Sequence, residues 1–278
     1  MITFPNAKLN IGLNVVEKRA DGYHNLQTIF YPIAIEDVLE INPLDDGDIE
    51  LFVNGTQCAA DEMEGNLVIK AYRALQRDFP KVKGIRASLI KNIPSGAGLG
   101  GGSADASFML KMLNEHFNLQ LSDEQLEKYA TKLGADCPIF IKNKPVYAEG
   151  IGEIFTDIDF SLKGYYLVLV KPETFISTKE AFANIHPHFP EHNLLSVYKK
   201  PIEEWKKLIV NDFEDSVFPN HPEIARIKES LYEMGAAYAS MSGSGSTVYG
   251  IFRNPQENLE GKFEGCYCKY LKLQQIIK

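Results

Sequence analysis

Between residues 7 and 16 the chain alternates apolar and polar positions. Leu9, Ile11, Leu13 and Val15 fall on one side, and Lys8, Asn10, Gly12 and Asn14 on the other. That period of two is the mark of a strand with a polar face. Asp21-Gly22 reads as a turn. Strand-like stretches continue over residues 29–35 and 38–41, with a turn expected at 45–48. The period then lengthens. Leu67, Ala71, Ala74 and Leu75 predict a helix over residues 66–79, and Ile85–Ile90 returns to a strand. Ala106, Met109, Leu110, Leu113 and Phe117 recur at helical spacing. Ser122-x-x-Gln125 has the form of a capping box that opens a further helix, and Gly134 closes it. The inward positions of that helix are Leu126, Tyr129, Ala130 and Leu133.

Residues 158–164 form the expected boundary between two domains, 1–160 and 161–278. Beyond it the pattern predicts a strand at 165–170, a short helix at 178–185 and an irregular, proline-containing loop at 186–192. Helices are expected at 201–210 and 222–234, the second ended by Gly235. Strands at 236–241 and 247–252 flank Ser242-Gly-Ser-Gly-Ser246. Neither an internal repeat nor a low-complexity tract is evident. Hairpin-like and helical segments are mixed without regular βαβ alternation, which gives an α+β fold.

A chain of 278 residues with 45% hydrophobic residues is long enough to bury a core without covalent staples. The net charge of −8, with no basic stripe, argues against a nucleic-acid surface. It leaves room for a phosphorylated ligand, since a few cations and backbone amides suffice to hold phosphate. Cys58, Cys137, Cys266 and Cys268 are scattered, and Cys266-Tyr-Cys268 has no second pair to complete a metal site; reduced thiols are expected. The first ten residues lack a basic segment followed by an apolar run, so a secretory signal is not expected. No window approaches the ~20 apolar residues of a membrane span. A soluble cytoplasmic protein follows, without membrane or nucleic-acid partners.

Gly96-Ala-Gly98-Leu-Gly100-Gly101-Gly102-Ser103 runs straight into the helix containing Ala106. Glycines let backbone N–H groups converge because no Cβ blocks the conformations required. The helix adds free N–H groups and its positive dipole end. Loop and helix together predict a phosphate cradle, against the alternative of a flexible surface turn. Residues 96–101 also spell G-x-G-x-x-G, but a helix follows the first helix where a dinucleotide-binding fold needs a strand. Gly102-Ser103 stands where a Walker A motif needs Lys-Ser/Thr, so the cation must come from elsewhere. Lys8, beside Asn10 on the first strand, is the candidate; the alternative is an ordinary exposed lysine. Asp136, in Leu133-Gly-Ala-Asp136-Cys-Pro138, is either a turn cap or a catalytic acid or base. Ser242–Ser246 is either a tight hairpin or a second backbone approach to phosphate.

Taken together, Pro5-Asn-Ala-Lys8-Leu-Asn10, Pro94-Ser-Gly-Ala-Gly-Leu-Gly-Gly-Gly-Ser103 and Met241-Ser-Gly-Ser-Gly245 resemble the three motifs of the GHMP kinases. The likeness is nearest to the branch that phosphorylates a cytidine diphosphate-linked methylerythritol. Its marks are Arg19-Ala-Asp-Gly-Tyr23-His24-x-Leu-Gln27-Thr28, Leu133-Gly-Ala-Asp136-x-Pro138, Ala148-Glu-Gly-Ile-Gly-Glu153 and Asn211-Asp-Phe-Glu214. The resemblance runs from Pro5 to about Phe252. It implies an N-terminal ATP-binding domain similar to the second domain of ribosomal protein S5, a ferredoxin-like C-terminal domain, and ATP with Mg²⁺ as cofactors.

Roles implied by the resemblance fall on particular positions. Pro94, Ser95, Gly96, Ala97, Gly98, Leu99, Gly100, Gly101, Gly102, Ser103 and Ala104 wrap the ATP phosphates, and Asn66 lies near the adenine. Asp136 is the catalytic base and Lys8 its partner lysine. Tyr23 and Phe182 sandwich the cytosine, His24 bonds its edge, and Asn10 and Thr178 lie along the polar chain of the substrate. Asp105 stands where a homologue has asparagine; an acid there either repels phosphate or helps hold Mg²⁺. Metal ligands are not indicated, and a monomer or weak homodimer is expected. The other readings are a homoserine- or mevalonate-type kinase, which has no use for Tyr23-His24, and a non-catalytic nucleotide-binding module.

Overall fold

The computed structural model describes residues 1–44, 47–57, 65–257 and 259–274. Cys58 and the first half of the turn expected at 45–48 lie outside the described residues. In chain order the elements are β1 (Ile2–Thr3), β2 (Asn6–Lys18), β3 (His24–Glu36), β4 (Val38–Pro43), β5 (Glu50–Val53), β6 (Thr56–Gln57), α1 (Leu67–Asp78), β7 (Ile85–Ile90), α2 (Gly101–His116), α3 (Asp123–Leu133), α4 (Ile139–Lys142), β8 (Val146–Glu149) and β9 (Ile154–Asp157). They continue with β10 (Tyr166–Lys171), α5 (Thr178–Ala183), α6 (Leu194–Val197), α7 (Trp205–Leu208), α8 (Phe213–Val217), α9 (Pro222–Glu233), β11 (Tyr238–Met241), β12 (Val248–Phe252), α10 (Leu259–Lys262) and β13 (Tyr267–Lys272).

Two compact units form, each from separate stretches of chain. The first gathers Met1–Ala7, Ile35–Ser95 and Gly100–Lys144; the second gathers Lys8–Ala34, Gly96–Leu99 and Pro145–Lys278. In the first, a sheet of order β1-β4-β7-β5-β6 is antiparallel except for the parallel pair β5–β7. Helices α1 to α4 cover it. Val68, Ala71, Tyr72 and Leu75 of α1 and Ala106, Met109, Leu110 and Leu113 of α2 share one core with Leu39, Ile41, Leu51 and Leu89 of the strands. The capping box expected at Ser122 and Gln125 is formed in both directions.

In the second unit, β2, β3, β8 and β9 form one sheet, in that order. A second, antiparallel sheet has the order β11-β12-β10-β13. Strand β10, the intervening helices, the β11–β12 pair, α10 and β13 follow one another as β-α-β-β-α-β, the ferredoxin-like order. Ile224, Ile227 and Leu231 of α9 pack with Ala239, Met241, Val248 and Phe252.

The polar face expected for the first strand is not exposed. Lys8 is 2% and Asn10 3% accessible, because the Lys8 ammonium lies 5.1 Å from the Phe30 ring centre and the Asn10 amide bonds Thr28 on the neighbouring strand. The helix expected over 201–210 is shorter, a 3₁₀ turn at Ile202–Glu204 followed by α7. Strands β8, β9 and β13 and helix α8 carry too little periodicity in their four to six residues to be predicted.

Candidate active site

The glycine loop alternates small apolar side chains with glycines for a physical reason. Ala97 and Leu99 are buried. Gly96, Gly98 and Gly100 between them have φ of +59°, +72° and +71°, a region that costs other residues about 1–2 kcal/mol. Lys8 holds this stretch twice: its backbone N–H donates to Leu99 O at 2.9 Å, and Nζ donates to Gly98 O at 3.2 Å. Nζ also donates to Asn10 Oδ1 at 2.5 Å. Asn10 Nδ2 in turn donates to Thr28 Oγ1 at 3.1 Å, and Thr28 Oγ1 to Gly12 O at 2.5 Å. The lysine is therefore a fixed cation and not a surface side chain.

The Ser242–Ser246 turn meets the same loop. Ser242 Oγ donates to Gly98 O at 2.9 Å and accepts from Asn10 N–H at 3.2 Å. A Cβ on Gly98 would lie 1.9 Å from Ser242 O, so only glycine permits this approach. The Phe175 ring covers Gly96, where a Cβ would lie 2.3 Å from Cε2.

In the other unit the loop runs into α2, whose N-cap is Gly100 with no side-chain cap. The first backbone N–H groups of a helix have no intrahelical acceptor, and here no side chain supplies one. Below this helix end lies a cluster the sequence reading missed. Lys91 Nζ donates to Asp37 Oδ2 and, at 2.6 Å, to Asp105 Oδ2. Asp37 Oδ1 accepts from the N–H groups of Asn92 at 2.5 Å and Ile93 at 2.8 Å. The cluster ties the stem before the loop to the helix after it. One cation serves two buried carboxylates, so one acid is undercompensated. Burial, with Asp37 adding to it and Lys91 opposing it, pushes the Asp105 carboxyl up to about 7. Asp105 Oδ1 is buried without a bonded partner.

Asp136 lies half-buried in the turn between α3 and α4. That turn is fixed by Cys137 N–H on Gly134 O at 3.1 Å and Ser107 Oγ on Cys137 O at 2.7 Å. Asn66, expected near adenine, is the N-cap of α1, its Oδ1 accepting from Val68 N–H at 2.9 Å. Thr178 is the exposed first residue of α5.

His24 stacks on Phe182, with ring centres 4.7 Å apart and planes 21° apart. Tyr23 is 60% exposed, so the ring on Phe182 here is the histidine. Burial, with Lys18 adding to it, lowers the His24 pKa, which keeps the imidazole neutral near pH 7.

Residues 66–144 match the family model described as GHMP kinases N terminal domain, and residues 194–265 the one described as GHMP kinases C terminal. Together with the mixed helix-and-sheet fold, these place the chain among the GHMP kinases. A 4-diphosphocytidyl-2-C-methyl-D-erythritol kinase of Bacteroides fragilis strain YCH46 is 56% identical over 99% of this chain and 100% of its own. One of Bacteroides thetaiotaomicron is 59% identical over 91% of this chain and 92% of its own. A crystal structure of 4-(cytidine 5'-diphospho)-2C-methyl-D-erythritol kinase superimposes with a TM-score of 0.81 at 27% identity, covering 98% of this chain and 99% of that one. The chain belongs to the 4-diphosphocytidyl-2-C-methyl-D-erythritol kinase family. The Methanococcus jannaschii mevalonate kinase shares the fold, with a TM-score of 0.70 at 17% identity over 99% of this chain and 98% of that one.

Proposed function

We propose that this chain transfers the γ-phosphoryl group of ATP to the 2-hydroxyl of 4-diphosphocytidyl-2-C-methyl-D-erythritol, releasing ADP, in the non-mevalonate route to isoprenoid precursors. The observation that carries this reading is the end-to-end likeness to kinases of that name, 56% over 99% of the chain. The functional division is 1–160 for ATP and 161–278 as the C-terminal domain. Among the described residues no helix is long and apolar enough to cross a membrane; we assign the enzyme to the cytoplasm, as a monomer or weak homodimer, by its likeness to the family.

Phosphoryl transfer asks the protein for position and charge more than for covalent chemistry. The residues from Pro94 to Ala104 receive the phosphates, with the uncapped start of α2 supplying N–H donors. Asp136 accepts the proton of the acceptor hydroxyl, and Lys8 is its partner cation. Lys8 is suited to the task because Asn10 and Gly98 fix its ammonium in place. Among the described residues no group of three or more acids, histidines or cysteines forms a metal cage. Mg²⁺ carried on nucleotide phosphates needs only one or two protein oxygens; it would come with ATP and would supply charge neutralisation at the phosphates. Asp105 is bonded to Lys91 and serves the loop stem instead of the metal. Asn66, Asn10, Tyr23, His24, Thr178 and Phe182 are assigned to the nucleotide and cytidine substrates as the family pattern places them.

The test is ADP release that depends on the cytidine substrate, followed by Asp136→Asn. That change keeps the shape and removes the proton acceptor, and kcat should fall on the order of 10²-fold or more with little change in ATP affinity. Near-normal turnover would leave Asp136 as a turn residue only.

A further inference from the structure

Four consecutive residues, Asn211, Asp212, Phe213 and Glu214, are all buried at the start of α8, and none has a role in the reading above. Between them they reach three parts of the second unit. Asn211 Nδ2 donates to Met241 O at 2.8 Å and to Gly243 O at 2.9 Å, while its Oδ1 accepts from Phe213 N–H at 3.0 Å. Glu214 Oε1 accepts from Met241 N–H at 2.8 Å and Ser240 Oγ at 3.1 Å, and Oε2 pairs with Lys228. Both backbone polar groups of Met241 are thus held by this one tetrapeptide. The residue after Met241 is Ser242, whose hydroxyl donates to the Gly98 carbonyl, the carbonyl that also accepts from Lys8.

The middle two residues face the other way along the site. Asp212 Oδ2 accepts from Val15 N–H at 2.7 Å, and Asp212 N–H donates to Leu13 O at 2.8 Å. These bonds clamp the strand that carries Lys8 and Asn10. The Phe213 ring meets Phe182 edge-on, with centres 4.8 Å apart and planes at 87°. Phe182 presents its face to His24. An edge-on neighbour is the arrangement aromatic quadrupoles favour, and it fixes the plane in which Phe182 offers its ring.

We propose that Asn211–Glu214 is a positioning element for both substrates of the kinase. Asn211 and Glu214 set the Ser242–Gly243 turn against Gly98 of the phosphate loop. Phe213 sets the plane of the Phe182 ring and with it the selectivity for cytidine. The inference rests on the kinase reading given above. A purely structural role would lower stability and leave the two substrates affected alike. A positioning role separates them, because the turn and the ring serve different ligands.

The experiment compares Asn211→Ser and Phe213→Leu with the wild type, each assayed well below its own melting temperature. Titration calorimetry with a non-hydrolysable ATP analogue and with cytidine 5'-diphosphate accompanies steady-state kinetics. Asn211→Ser is expected to lower kcat on the order of tenfold or more, since small misplacements at a reacting centre cost up to about 10²-fold. It should weaken the ATP analogue and leave cytidine 5'-diphosphate binding within about twofold. Phe213→Leu should raise KM for the cytidine substrate roughly fivefold or more, with KM for ATP nearly constant, because stacked rings contribute on the order of a factor of ten each. Glu214→Gln keeps the acceptor for Met241 N–H and should retain more activity than Glu214→Ala. Equal loss for both substrates in both variants, or no loss in folded protein, overturns the proposal. A wild type that lacks cytidine-dependent ADP release and fails to bind cytidine 5'-diphosphate overturns the kinase reading and the Phe213 half with it. The Asn211 half is then still decided by the ATP analogue.

Discussion

The chain contains two glycine-rich turns that look alike on paper and are built on different principles. In the loop of residues 94–100 the residues between the glycines do the anchoring, with Ala97 and Leu99 buried and the glycines at positive φ. A strong helix follows and fixes the exit. In the Ser242–Ser246 turn, Gly243 and Gly245 also have positive φ, +57° and +90°. There the holding groups are Asn211 and Glu214, roughly 30 residues upstream. The first turn carries its own anchors, with Lys8 holding it from the first long strand. The second is specified from a distance, and its role depends on side chains that its own sequence does not contain.

Gly98→Ala is the sharpest way to break this pairing, because Gly98 is where the two turns touch. A methyl group would have to displace Ser242 O from 1.9 Å while the backbone holds a left-handed conformation. Stability should fall by at least about 1–2 kcal/mol, and kcat/KM on the order of 10²-fold through displaced phosphate contacts. Kinetics and thermal denaturation on one preparation check both. Gly101→Val is the poorer choice, since its Cβ meets the Ile93 side chain at 2.9 Å and mixes packing with phosphate contact.

Phe182→Ala tests the region assembled from remote residues. It should raise KM for the cytidine substrate roughly tenfold and leave KM for ATP nearly constant. The same KM in the wild type should rise on acidification below the ordinary imidazole range. His24 is neutral near pH 7 with its pKa lowered, so the loss begins only as the ring gains a proton at lower pH. His24→Ala should flatten that profile.

Gly102→Ala separates phosphate contact from folding within the first turn. Its Cβ would meet only Leu67 Cδ1, at 3.9 Å, and alanine favours a helix over glycine by about 1 kcal/mol. The melting temperature should hold or rise by roughly 2–4 °C, while calorimetry shows weaker ATP binding. Unchanged affinity would remove the start of α2 from the phosphate site.

The smallest effect concerns the stem. With its pKa raised to about 7, Asp105 binds its proton more tightly in the folded chain than in the unfolded one, where the usual value is about 3.9. Its contribution to stability is therefore fully present below about pH 4 and lost as pH rises through 7. Thermal denaturation between pH 5 and 8.5 should show a decline in the wild type that Asp105→Asn lacks. Parallel profiles would mean that Lys91 compensates both carboxylates fully.

How much was legible follows the same division. The helices α1, α2 and α3 and the caps of α3 were readable because their periodicity is local and their inward residues face one shared core. The backbone conformation of the glycine loop was readable because its requirement for positive φ is written in closely spaced residues. Lys8 was found as a candidate, yet its burial was missed. A strand covered on both sides shows the same alternation as one with a wet face, and Phe30 and Thr28, which cover Lys8 and Asn10, lie some 20 residues on. The residues assigned to cytidine were named through likeness to a family, and the stacking of His24 on Phe182 was not foreseen.

By itself, then, the sequence determined the three long helices and two of the strands of the first unit, the run of glycines from 96 to 102 ahead of a helix and, by likeness, the family. Tertiary structure alone decided that Lys91 pairs with both Asp37 and Asp105, and that Asn211 and Glu214 hold the turn at Met241–Gly243. The reason is physical. Backbone conformation and amphipathic burial are fixed by neighbours along the chain. The partner of a buried charge or amide is whichever group folding brings within hydrogen-bond distance, and that is set by the packing of the whole unit.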